Sequence, residues 1–165
     1  MGKTIGKSPK VADQNMLDIL TKLQTHMADA LLVSGALAIG TTKTKVNVAA
    51  AMYALIDGAL VTKAITNDAF TLAGTVTNAK FNVFVLTLKA DGTCTARMGT
   101  EAATLGAVVL PAIPAGEVVV GLLIVNPTGT GNFVGGTTNL DDGTVVPNAV
   151  YINTARPFNP NVLSL

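Results

Sequence analysis

Residues 117–125, EVVVGLLIV, are the stretch that most limits the folds open to this chain. Valine, leucine and isoleucine favour extended backbone that packs on both sides. Val118, Val120, Leu122 and Ile124 share one alternating set of positions, and the other set is apolar as well, with Gly121 the only gap. An antiparallel strand with one wet face alternates apolar and polar side chains. This one does not, so both of its faces have to be covered, by a second sheet, a helix or a neighbouring subunit. Residues 81–88 repeat the signal, with Phe81, Val83 and Val85 on one face and Phe84, Leu86 and Leu88 on the other.

Composition fits that demand. The chain has 165 residues, enough for one domain plus a short extension with a real core. Hydrophobic residues are 49% and charged residues 13%, against about 25% charged in an average soluble domain. The apolar residues are mainly Ala, Val and Leu mixed with Thr and Gly, which suits sheets better than lipid contact. A membrane span needs roughly 20 predominantly apolar residues, and the longest uncharged run, 118–140, is broken by Asn126, Pro127, Asn132, Asn139 and several glycines. No membrane partner is expected. The first ten residues, MGKTIGKSPK, hold no apolar core of a secretory signal, and Gly6 stands where myristoylation requires Ser or Thr. The net charge of +1 provides no basic field for nucleic acid. Cys94 is the single cysteine, so no internal disulfide is expected and the chain can fold in a reducing cytoplasm.

Two regions follow from the patterning: 1–40, a tail and amphipathic helix for anchoring or oligomerisation, and 41–165, a β-domain. Within 11–33 the spacing predicts a helix, with Met16, Leu20, Leu23, Met27 and Ala30 separated by four, three, four and three residues. That seam serves a helix packed on its own domain or one that meets its symmetry mates. From Val46 onward the pattern is β. Residues 50–56 and 59–65 flank Asp57-Gly58, a hairpin turn signal. A short strand is expected at 70–77. Residues 81–88 and 93–98 form a second hairpin around Ala90-Asp91-Gly92, 101–109 fits either a short helix or a strand, and a last strand is expected at 145–152. The fold class expected is mainly β: an antiparallel β-sandwich or barrel-like domain with one N-terminal α-helix.

Residues able to carry chemistry are few. His26 is the only histidine, so no metal site of His/Cys type forms within one chain. A triad would need His26 near Ser8, Ser34 or Ser164, none of which has a nucleophile-elbow context. Gly2-Lys3-Thr4 and Gly40-Thr41-Thr42-Lys43 lack the strand and glycines of a phosphate loop, and no helix follows Gly135-Gly136-Thr137. Asp141-Asp142-Gly143 offers adjacent carboxylates to calcium but reads as a turn. Glu101 and Glu117 have no carboxylate partner for glycosidase work. These observations argue against an enzyme, and no catalytic residue, metal or cofactor is expected.

From Phe81 to Asn161 the chain resembles small virion structural proteins of tailed bacteriophages, of the head-decoration and head-fibre types. The matching pieces are FNVFVLTLKADGTCTARMGTEAATL, PAIPAGEVVVGLLIVNPTGTGNFVGGTTNLDDGTV and VVPNAVYINTARPFNPN, the run from Gly121 to Asp142 being the most specific. The resemblance implies a β-rich homotrimer in the virion, assembled in the host cytoplasm, with the major capsid protein or another virion protein as partner. A tail or fibre component touching the host surface is the alternative within that class, and a stand-alone small-ligand-binding β-domain is the alternative outside it. The residues expected at the oligomer or anchor interface are Met16, Leu20, Leu23, Met27, Val118, Val120, Leu122, Ile124 and Phe133.

Overall fold

The computed structural model describes residue 17, residues 29–147 and residues 149–154. Over residues 29–147 and 149–154 the chain is mainly β, in several small antiparallel sheets, with one 3-10 turn at Leu105–Ala107 and no α-helix. The strands are β1 (Ala30–Val33), β2 (Leu37–Ile39), β3 (Lys45–Val48), β4 (Met52–Ile56), β5 (Ala59–Lys63), β6 (Thr66–Thr71), β7 (Thr75–Val76), β8 (Asn82–Lys89), β9 (Cys94–Met98), β10 (Glu117–Val125), β11 (Phe133–Val134) and β12 (Val150–Asn153). They form a four-stranded sheet in the order β12-β10-β8-β9, two three-stranded sheets, β1-β4-β5 and β2-β3-β6, and the pair β11-β7.

The sequence-predicted hairpins form where the turn chemistry allows them. Asp57 and Gly58 both take positive φ, 50° and 76°, the geometry of a two-residue turn whose twist matches the flanking strands. β4 and β5 therefore pair in register from Ile56↔Ala59 to Met52↔Lys63. β8 and β9 pair from Leu88↔Cys94 to Phe84↔Met98, and Gly92 supplies the positive φ of their turn, 81°. β10 has the limits its sequence indicates.

Three expectations are corrected. The helix expected over 11–33 does not include 30–33, which form β1, because Leu31 pairs with Ala54 and is buried with Met52 and Ile56; pairing with an apolar strand overrides the local helical spacing. Met16, Leu20, Leu23, Met27 and His26 lie outside the described residues. The strand expected at 70–77 is instead two, β6 and β7, separated at Gly74 (φ 99°) and belonging to different sheets. The last strand starts at Val150, not Val145. Val145 and Val146 both donate their N–H to the Asp142 carbonyl, at 3.1 and 2.7 Å, and Pro147, with no N–H to give a ladder, separates that turn from β12.

Both faces of β10 are covered within the chain. One faces the main core, where Val118, Val120, Leu123 and Val125 meet Phe84, Leu86 and Leu88 of β8 and Leu31, Leu37, Val46, Met52 and Phe70 from the three-stranded sheets. The other face carries Val119 and Leu122, which join Val83, Val85 and Val108, with Phe81, Ala102, Leu105, Leu110 and Ile113 packed alongside. The covering layer on that side is the segment between β9 and β10, tied down by the bridges Phe81↔Ala102 and Thr100↔Val109. It resolves the ambiguous stretch 101–109 into a strap with a single 3-10 turn.

A bulge sets which side chain enters which layer. Val119 pairs with Thr87 and Gly121 pairs with Leu86, leaving Val120 as the added residue. The extra residue shifts the alternation, so Val118 and Val120 point into the main core while Leu122 turns to the opposite layer. Gly121 then lies where β2 crosses: a Cβ at this position would stand 2.2 Å from Leu37 Cδ1 and 2.6 Å from the Ile152 carbonyl. Gly121→Ala is predicted to cost about 1–3 kcal/mol through this overpacking, read as a lower denaturation midpoint with an unchanged slope; an unchanged midpoint would mean that β2 is free to move away.

Candidate functional site

The residues expected at an interface in the β-domain are mostly enclosed by the chain itself. Val118, Val120, Leu122 and Phe133 are buried and Ile124 is half-buried. The bulge divides them between two layers, Val118 and Val120 in one, Leu122 and Ile124 in the other. Phe133 belongs to β11, where it pairs with Val76 and sets its ring edge-on to Phe84, with centroids 6.0 Å apart. The Gly/Thr/Asn loop makes its close approaches within the chain too: a Cβ on Gly129 would stand 1.7 Å from the Thr144 carbonyl.

Among the described residues the one strongly buried charge is Glu117, whose side chain is 5% exposed. It begins β10 on the face of Val119, and the sheet brings Thr87 from β8 and Arg97 from β9 to it. Arg97 forms a two-pronged contact, Nη1 to Oε2 at 2.5 Å and Nη2 to Oε1 at 2.7 Å, while the Thr87 hydroxyl donates to Oε2 at 2.7 Å. Lys89 adds a longer contact at 3.9 Å. Burial pushes the Glu117 carboxyl up, but the hydrogen bonds from Arg97 and Thr87 and the charges of Arg97 and Lys89 outweigh it, so the group is held below the usual carboxylate range. A carboxylate committed in this way is a structural pin across three strands. The sequence signal for it is faint, because Arg97 and Glu117 lie twenty residues apart and meet only through the β9-β8-β10 order.

The same pairing of a carboxylate with a threonine recurs on the surface. Glu101 accepts from the Thr77 N–H at 2.7 Å and its hydroxyl at 2.8 Å. Asp68 accepts from the N–H of Thr42 at 2.9 Å and from its hydroxyl. In the two Asp-Gly-Thr turns the contact is local, Asp91 to the Thr93 N–H at 2.8 Å and Asp142 to the Thr144 N–H at 2.9 Å. Hydrogen bonds from the threonines hold all four carboxyls below their ordinary values. The Asp-Gly-Thr spacing is readable as an Asx turn; the distant pairs are not.

At the calcium-like turn, Asp142 is occupied by Thr144 and Asp141 Oδ2 lies 3.3 Å from Lys43 Nζ. No group of three or more His, Cys, Asp or Glu side chains that could hold a metal occurs among the described residues. Ser34 donates to Asn153 Oδ1 and accepts from the Ala36 N–H, a turn role. Gly40-Thr41-Thr42-Lys43 is the β2-β3 turn, closed by the Gly40 N–H to the Lys45 carbonyl at 2.7 Å. Burial pushes the Cys94 thiol up, with Lys63 opposing, which disfavours the thiolate. Burial and the charge of Asp141 push Tyr151 up to about 12.

What the surface offers instead is apolar area. On the outer side of β1-β4-β5, Leu32, Val33, Tyr53 and Leu60 are exposed and Leu55 is half-buried. Val33↔Tyr53 and Leu55↔Leu60 are direct cross-strand pairs, so the group is contiguous. Among the described residues no helix is long and apolar enough to cross a membrane. In comparison with known proteins, the chain matches no family model, no curated protein and no solved structure.

Removing the pin tests its role. Glu117→Ala is predicted to cost about 3 kcal/mol, the low end for breaking a buried pair, because Arg97 keeps some contact with water. Glu117→Gln separates charge from volume. Because the folded carboxyl titrates below its unfolded value, the stability it contributes is fully present above the unfolded pKa and is lost as pH falls through the folded one. The gap in unfolding free energy between wild type and Glu117→Gln is therefore predicted to be constant above about pH 5 and to shrink below it. A gap independent of pH down to acid unfolding would remove the ionised carboxylate from the account.

Proposed function

We propose that this chain is a non-enzymatic bacteriophage virion structural protein, a capsid decoration or head-fibre protein that stabilises or decorates the head as a homotrimer. In this reading 41–165 is an antiparallel β-sandwich or barrel-like domain and 1–40 supplies anchoring or oligomerisation. The observation that carries it is how the polar and apolar groups are divided. The buried carboxylate pins strands, the surface carboxylates discussed above lock turns, and a contiguous uncharged apolar area is left on an open sheet face. Such a surface suits lasting contact with protein rather than turnover of a substrate. The resemblance over 81–161 supplies the class of particle; the partner it implies is the major capsid protein or another virion protein.

Physical reasons support the reading. A protein in a symmetric array gains stability from area buried between copies, so few charges and much apolar surface are expected. Assembly in a host cytoplasm needs no disulfide, and Cys94 has no cysteine partner.

Cryo-electron microscopy of the native particle tests this. Density fitting the β-domain at symmetric positions on the head is the predicted result. Density confined to the tail would move the protein to the host-contacting alternative, and particles lacking the chain would overturn a virion role. Deleting residues 1–28, which leaves β1 intact, is predicted to abolish binding to heads that lack the protein; undiminished binding would place the shell contact on the β-domain.

A further inference from the structure

We propose that Asp57-Gly58, the β4-β5 turn, is a site of self-modification in the folded chain, where the Gly58 backbone nitrogen attacks the Asp57 carboxyl and converts the residue to isoaspartate. The inference goes beyond the assembly reading and does not depend on it. The chain holds three Asp-Gly pairs, at 57–58, 91–92 and 142–143, and no Asn-Gly. In the sequence the three are equivalent, because glycine has no side chain to shield the attacking nitrogen or to restrict its rotation. The folded structure separates them.

Two of the three carboxyls are taken. Asp91 Oδ1 accepts from the Thr93 N–H at 2.8 Å, and Asp142 Oδ1 accepts from the Thr144 N–H at 2.9 Å and from its hydroxyl at 2.6 Å. Hydrogen bonds to an ionised carboxyl favour that form, and a carboxylate is a poor electrophile. At 91–92 the nitrogen is engaged as well, since the Gly92 N–H donates to the Lys89 carbonyl at 3.0 Å. Where Thr93 and Thr144 stand two residues after their aspartates, Asp57 has Ala59, which carries no hydroxyl and is paired with Ile56 in the β4-β5 ladder. Among the described residues no group donates to the Asp57 carboxyl, and none accepts from the Gly58 N–H. Asp57 and Gly58 are both exposed, whereas Gly92 and Asp142 are half-buried.

The step needs only water. The protonated Asp57 carboxyl loses its hydroxyl, the Gly58 nitrogen loses its proton, and the two leave together as water while a Cγ–N bond closes a succinimide ring. Water then adds to one ring carbonyl and breaks its bond to nitrogen. Addition at Cγ regenerates aspartate. Addition at the former main-chain carbonyl leaves the chain running through the side-chain carboxyl, with no net change in mass. The product has one more backbone atom in a two-residue turn, so it loses the fit that the φ values of 50° at Asp57 and 76° at Gly58 give to the flanking strands. The Asp57 N–H, which donates to Asp29 Oδ1 at 3.1 Å, ties the same turn to the chain entering β1, so the change reaches the end of that sheet.

The test is to incubate the full chain in warm, mildly acidic buffer and to locate isoaspartate by methyltransferase labelling and peptide mapping. Label at Asp57 is predicted to exceed that at Asp91 and at Asp142 by about tenfold, the factor for giving up one hydrogen bond to a charged group. In denaturant, where the threonine contacts are gone, the three sites are predicted to label alike. Asp57→Asn keeps a residue that suits the turn and is predicted to release ammonia through the same ring, leaving a mixture of aspartate and isoaspartate at position 57. Equal label at the three sites of the folded chain, a preference for Asp57 that persists in denaturant, or an Asp57→Asn chain that keeps its amide would each overturn the proposal.

Discussion

The rest of the structure depends on β10 being buried on both sides. Its nine residues carry seven large apolar side chains and one glycine after Glu117, and burying each large aliphatic side chain is worth about 1.5–3 kcal/mol. No single sheet can satisfy such a strand. β8, β12 and the backbone ladder settle its edges, the three-stranded sheets cover one face, and the strap between β9 and β10 covers the other. The bulge at Val120 is the local adjustment that lets both layers form. With strict alternation Leu122 would point into the main core and Leu123 away from it; the observed burial is the reverse.

Polar groups are arranged around that strand as fasteners. Glu117 sits where β10 begins and is held by side chains from β8 and β9, so the register of three strands is fixed at one point. The threonine–carboxylate contacts at Thr42, Thr77, Thr93 and Thr144 do the same for turns and for the ends of short strands. With strands of two to six residues in the smaller sheets, few ladder bonds hold each piece, and turns closed by ionised acceptors compensate.

How much of this the amino-acid sequence discloses depends on the range of the interaction. β10, the β4-β5 hairpin and the β8-β9 hairpin are legible because Asp57-Gly58, Asp91-Gly92 and the runs of β-branched residues are local signals. That β10 needs two covering layers is also legible; that the chain supplies both is not, because the strap at 101–109 has no periodicity of its own. β1 is hidden by a helical spacing that tertiary pairing with Ala54 and Leu55 overrides. The faces of Val118, Val120, Leu122 and Ile124 are misjudged because a bulge leaves no local mark beyond Gly121, which is equally consistent with a plain close approach. The Glu117–Arg97 pair depends on strand order, which spacing does not encode. The exposed face of β1-β4-β5 becomes visible only once β1 is known to be a strand.

The central claim is that β10, paired with β8 between two layers of this one chain, is the element on which the fold rests. Native-state hydrogen exchange measures this most directly, since amides opened only by global unfolding mark the most stable unit. Ladder amides of β8 and β10 on both sides of the bulge are predicted to exchange slowest and with a common free energy, above those of β5 and β12 at the sheet edges. Exchange of β10 amides at the rate of those edge strands, or a slow core confined to β1-β4-β5, would contradict it.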